Sequence, residues 1–180
     1  MGFTRARCVL VFGLIWLCTI PKAGAETFKE KSQRAITLIQ QGEWDQGLSL
    51  LQEVAEALPS DGLARLNYAT MVFERTKLFW GAGDRTAGLE WANKSEQELS
   101  KAFEAAKSNE AQRSWVCSQS AYLLGAVYED FFNDRSRAIQ SYNVALEYLP
   151  SHTLAKAALA GKRLPASAMF GSGSESSSGQ

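Results

Sequence analysis

Residues 35–59 read AITLIQQGEWDQGLSLLQEVAEALP, and residues 122–150 read YLLGAVYEDFFNDRSRAIQSYNVALEYLP. The two stretches carry one pattern. In the first, Ala35 and Leu38 precede Gly42, Trp44 and Gly47, and Leu51 leads to Leu58-Pro59. In the second, Leu124, Gly125 and Tyr128 precede Ala138, Tyr142 and Ala145, and the stretch closes on Leu149-Pro150. Each predicts a helix, a tight turn, a second helix and a stop, because proline has no N–H for the helical ladder and disfavours helical geometry in the residue before it. A helix pair this small leaves an apolar side uncovered, so it must stack on neighbours. The expected fold class is all-α, built of stacked antiparallel helix pairs.

Outward from the first stretch, Thr27 and Glu30 form a T-x-x-E capping box, which places a helix start at Phe28. Gly42 ends that helix and Trp44 opens the next, whose Leu48, Leu51, Val54, Ala55 and Leu58 recur on one face. Ser60 and Asp61 cap a third helix expected over 62–78, with Leu63, Leu66, Ala69, Val72 and Phe73 as its apolar stripe. Phe79-Trp80-Gly81-Ala82-Gly83-Asp84 has two glycines and no period, which predicts a loop. Its Phe79 and Trp80 either tuck onto neighbouring helices or form an aromatic finger that touches a partner. Residues 86–92 are read as helix or its prelude. Ser95 and Glu98 read as a second capping box opening a helix to Lys107.

Ser108 or Asn109 caps a fifth helix, read as strongly amphipathic with Trp115, Ser118, Tyr122 and Gly125 on its buried side. Asp134 caps a sixth, and Ser151 a seventh over 152–161. The last ten residues, GSGSESSSGQ, read as flexible tail. The domain is expected over 26–165, followed by the tail over 166–180.

Residues 1–25 have the three parts of a secretory signal: Arg5 and Arg7, an apolar run from Cys8 to Ile20, and Ala23-Gly24-Ala25 before the expected cleavage. An uncleaved membrane anchor is the alternative, although 13 apolar residues fall short of the ~20 that a crossing takes. Lipid attachment at Cys18 is disfavoured by the bulky Leu17 before it. The whole chain of 180 residues has a formal charge of +0. Setting aside Arg5, Arg7 and Lys22 leaves sixteen basic against nineteen acidic residues, with no basic stripe of the kind nucleic acid requires. Cys117 then stands as a single cysteine, read as a small buried residue rather than a reactive thiol.

These residues resemble a tetratricopeptide repeat. Gly42 to Gly47 with Leu51 and Leu58-Pro59 is similar to one unit, and Tyr122 to Tyr128 with Ala138, Tyr142, Ala145 and Leu149-Pro150 to another. Asn67-Tyr68-Ala69 resembles the first-helix core of a unit between them. The step from Pro59 to Pro150 is 91 residues, which is not a multiple of the family's period of about 34, so the middle unit must be extended. The resemblance implies an α-solenoid of about three repeats with the seventh helix as a cap. It also implies a concave groove for a partner protein or peptide, with Ile36, Asn67, Thr70, Glu74, Tyr122 and Glu129 facing it, and Phe79 and Trp80 as possible further contacts.

Binding is expected here rather than catalysis. His152 is the single histidine and is read as a surface residue of the cap region. With one histidine and one cysteine after residue 25, no common zinc site or Cys–His pair is available, and Gly81-Ala82-Gly83 lacks the context of a phosphate loop. No cofactor and no metal is expected. Neither nucleic acid nor, once the signal is removed, a membrane is an expected partner. The expected role is an exported adaptor in the bacterial periplasm or outside the cell. A membrane-anchored scaffold and an accessory or maturation subunit of a periplasmic enzyme are the rivals.

Overall fold

The computed structural model describes residues 26–162, so the signal reading of 1–25 and the tail reading of 166–180 fall outside the described residues. All regular structure among the described residues is helical: α1 (Phe28–Gln40), α2 (Trp44–Ala57), α3 (Gly62–Gly81), α4 (Arg85–Lys107), α5 (Glu110–Asp130), α6 (Arg135–Tyr148) and α7 (Thr153–Leu159). Each helix packs on the next along the chain, and α3 also packs on α5.

The helix starts follow side-chain chemistry. Thr27 and Glu30 form the reciprocal capping box, and Asp61, Asp84 and Asp134 each accept backbone N–H groups of the turn that follows. Two arginines repeat one device. Arg65 Nε donates to the Pro59 carbonyl and Arg113 Nε to the Lys107 carbonyl, both at 2.8 Å and both six residues back, so each ties a new helix to the end of the previous one.

Close approach explains two glycines. A methyl on Gly47 would stand 2.7 Å from the Ala35 carbonyl oxygen, so α1 and α2 meet there nearly backbone to backbone. A methyl on Gly125 would stand 2.9 Å from Tyr142 Cζ and nearer still to Cε1 and Cδ1, so the Tyr142 ring lies flat against the α5 backbone. Its hydroxyl donates to Glu129 Oε2 at 2.8 Å, and the same carboxylate pairs with Arg135.

Several expectations need correction. Residues 79–81 are helical, so the expected loop shrinks to the turn at 82–84, and α4 begins at Arg85, so residues 86–92 are helix and not a prelude to one. The two glycines do not break the pair because tertiary packing outweighs their low propensity. Gly88 leaves room for the Trp80 ring, and Gly83 alone takes the left-handed turn, with φ 81°. Ser95 caps nothing. It is fully buried in mid-helix, its hydroxyl bonded to the Trp91 carbonyl and to Thr76 Oγ1 of α3 at 2.9 Å each. At 20 and 23 residues, α3 and α4 are longer than α1 and α2, which have 13 and 14.

The fifth helix is not amphipathic in the expected sense. It packs against α3, α4 and α6, so its buried residues spread around the helix: Val116, Cys117, Ser118, Ser120, Ala121, Tyr122 and Leu123 follow almost without interruption. Trp115 is 52% exposed and is not a core residue. Cys117 is buried as expected, its thiol pointing at the Phe103 carbonyl, and burial pushes its pKa up. Ser120 is fully buried and its hydroxyl finds no partner among the described residues. Ser120→Ala should therefore raise the unfolding free energy by about 1 kcal/mol, measured by chemical denaturation, because it removes an uncompensated desolvation penalty.

The apolar interior falls into two parts. Ala35, Ile39, Leu48, Leu51 and Ala55 of α1 and α2 close on Tyr68 and Val72 of α3. Leu66, Ala69 and Phe73, from the other sides of α3, belong to a larger core with α4 to α7.

Candidate binding face

Helices α3 and α5 run parallel and in step. At their first turns Gln112 Nε2 donates to Asp61 Oδ1 at 2.9 Å, and the Leu63 N–H reaches Gln112 Oε1 at 3.3 Å. At their far ends Phe131 meets Phe73 and Trp80 edge to face, with ring centroids 5.9 and 5.2 Å apart. Helix α4 covers one side of this pair through Ala106 at Gly62, Ser95 at Thr76 and Glu96 at the Tyr128 hydroxyl. The opposite side is open.

On α3 the open stripe is Leu63, Asn67, Thr70, Glu74 and Leu78, spaced by three or four residues and so on one face. Leu63 is 39% and Leu78 50% exposed. Leu63 therefore does not belong to the core stripe assigned from its period. The α5 residue on the same side is Trp115. It lies on the flank of α5 away from α4, nearly level with Asn67, given the step set by Asp61 and Gln112.

The six residues named for the groove divide. Asn67 is exposed, and Thr70 and Ile36 are half-buried. Glu74 is half-buried and held by Lys77 at 2.6 Å. Tyr122 is only 5% exposed, with its ring packed between Tyr142 and His152, so it offers a partner little surface. Burial pushes its pKa up to about 12. Glu129 is half-buried and already committed to Tyr142 and Arg135. Of the six, Asn67 alone is exposed; Leu63, Leu78 and Trp115, which the resemblance did not name, are exposed as well. A signal for the last did exist: a tryptophan beside the run Val116-Cys117-Ser118, where small residues mark the buried side.

Phe79 and Trp80 do not form a finger. Phe79 stacks on Trp91 with centroids 6.0 Å apart, and the Arg75 guanidinium lies between Phe79 and Trp44, at 4.9 and 5.4 Å from their centroids. Trp80 packs on Phe131 under Arg85. Both rings clamp the lengthened pair to its neighbours.

His152 is buried rather than on the surface, and it caps α7 in place of Ser151. Its Nδ1 accepts the Ala155 N–H at 3.2 Å, which leaves the proton on Nε2 to donate to Gln119 Oε1 at 3.1 Å. This arrangement requires the neutral ring, and burial lowers the pKa. The unfolded chain then binds the proton more readily than the folded one. Stability should fall as pH drops through the ordinary imidazole value of about 6.5. Thermal melts across this range should show the fall in the native chain and less of it in His152→Asn, which can still cap.

Among the described residues no group of three or more His, Cys, Asp or Glu side chains could hold a metal ion, and no helix is long and apolar enough to cross a membrane. An open depression of about 680 Å³ lies between α1 and α2. It is lined by Arg34, Leu38, Asp45, Gln46, Ser49 and Leu50. No family model matches the chain, and a search of the curated proteins found no match.

Proposed function

We propose that this chain is an exported scaffold of the tetratricopeptide-repeat type that holds a partner protein or peptide on the open face of α3 and α5. The observation that carries the reading is Trp115, a large aromatic ring left 52% exposed on a helix held by α3, α4 and α6. Aromatic side chains standing on preformed surfaces are the usual anchors of protein interfaces. The repeat arrangement is supported by the close approach within two helix pairs, at Gly47 of α2 on α1 and at Gly125 of α5 under Tyr142 of α6, and by the twin arginine ties at the starts of α3 and α5. Export rests on the order of features in residues 1–25.

The test compares the native chain with Trp115→Ala and Asn67→Ala as baits in envelope extract. Trp115→Ala should change stability by no more than ~0.5 kcal/mol, since the ring is outside the core. It should nevertheless lose at least tenfold in affinity for whatever partner the native chain retains, as expected of an anchor worth more than about 1.4 kcal/mol. Retention unaltered by both substitutions would remove the face from consideration.

A further inference from the structure

We infer that α7 is a pH-operated cover on the α5 side of this face: protonation of His152 frees the helix from α5 and exposes Gln119 and Tyr122. The inference rests on the binding reading above for what the cover regulates, but not for how it opens.

Trp115, Gln119 and Tyr122 follow one another at spacings of four and three, so they form a single stripe along α5. Trp115 stands open at one end. About 10 Å further along the helix the stripe is closed. The His152 ring lies over Tyr122 with centroids 5.0 Å apart, and its Nε2 donates to Gln119 Oε1 at 3.1 Å. The N-cap of α7 thus occupies ground that would otherwise extend the open face past Trp115.

The same ring holds α7 in place, because its Nδ1 accepts the Ala155 N–H at 3.2 Å. A second polar tie, Arg135 Nη2 to the Ala158 carbonyl at 3.2 Å, lies at the far end of the helix. Apolar contact is limited: Ala155 is buried, while Leu154, Ala158 and Leu159 are half-buried. A helix of seven residues does not persist in water without its packing.

Protonation acts on this arrangement in two ways. Nδ1 turns from acceptor to donor, so the buried Ala155 N–H loses its partner. The new positive charge also sits at a helix N-terminus, where the helix dipole opposes it. No carboxylate among the described residues bonds to the ring. The titratable and charged groups around it are Tyr122 of α5, Tyr142 of α6 behind that ring, and Lys156 one turn along α7. Glu147, on the last turn of α6, is exposed. Glu129 and Asp130 lie at the far end of α5, where Glu129 is held by Arg135 and the Tyr142 hydroxyl. Opening therefore takes up a proton. The closed form is favoured above the ordinary imidazole value of about 6.5 and loses ground below it.

The experiment follows amide hydrogen exchange of the full chain at about pH 7.5 and about pH 5.5, with rates referred to the intrinsic rate at each pH. In the native chain the protection of Ala155 and the α7 amides after it should fall about tenfold. Amides of α1 and α2 should hold, because that hairpin packs on Tyr68 and Val72, away from His152. In His152→Asn, which caps without titrating, α7 should lose less than about twofold. The ring nitrogens of the native chain, read by ¹H–¹⁵N correlation, supply a second measure that needs no variant. They should show a neutral ring with its proton on Nε2 as long as α7 is closed. The cover is overturned by α7 amides unprotected already at the higher pH, by equal protection at both values, or by an equal loss in His152→Asn. It is overturned as well by a loss of the same size in α1 and α2, or by a ring that takes up its proton near pH 6.5 while α7 stays protected. Partner retention unaltered by Trp115→Ala would remove the binding reading and leave the response of α7 as it stands.

Discussion

Phe73→Ala should lower the unfolding free energy by about 3–5 kcal/mol, enough to shift the thermal midpoint by roughly 10 °C in a chain of this size. Phe73 is 1% exposed and among the largest fully buried side chains. Its ring meets Phe131 at the end of α5 edge to face, at 62° and 5.9 Å, and Lys77 Nζ sits 5.2 Å from its centroid. It thus belongs to α3 while filling space that α5 must close. Truncation removes the transfer energy of the ring and leaves a cavity walled by long helices that cannot collapse independently. Urea unfolding followed by far-ultraviolet circular dichroism measures the loss. A cost below about 1 kcal/mol would mean that α3 and α5 do not meet there, and the open face built on their pairing would go with them.

Gly125→Val should cost about 3 kcal/mol for the opposite reason, too much volume rather than too little. The first added carbon falls inside the van der Waals envelope of the Tyr142 ring. That ring cannot step aside, because its hydroxyl is bonded to Glu129 and its face is packed against Tyr122 at 5.8 Å. A β-branched residue also gains less from leaving glycine in a helix than alanine would. The cause is separable by a double-mutant cycle with Tyr142→Ala. The valine should cost far less once the ring is gone, so the two losses should fall short of adding. Additive losses would show that Gly125 and Tyr142 do not share the contact.

Chemical punctuation was the legible part of the sequence. Thr27 with Glu30, Gly42, Pro59, Asp134 and Pro150 each carry a local preference that tertiary packing leaves unopposed, and the ends of α1, α2 and α6 lie where those residues put them. The lengthened middle pair was opaque because Gly81 reads locally as a breaker, while the contacts that keep it helical, Trp80 on Phe131 and Trp80 over Gly88, join residues far apart or across the turn. The fifth helix was opaque because a single-face rule fails for an element walled on three sides. Of the open face of α3, the exposure of Asn67 agrees with the register the resemblance implied. The exposure of Leu63 was not legible, since an apolar residue at helical spacing carries no mark of whether a neighbour arrives to cover it.

The division of the apolar interior on either side of α3 has a dynamic consequence. The first hairpin can part from Tyr68 and Val72 while Leu66, Ala69 and Phe73 stay sealed. Amides of α1 and α2 should accordingly exchange with solvent deuterium through a sub-global opening, whereas those in the middle of α5 should wait for complete unfolding.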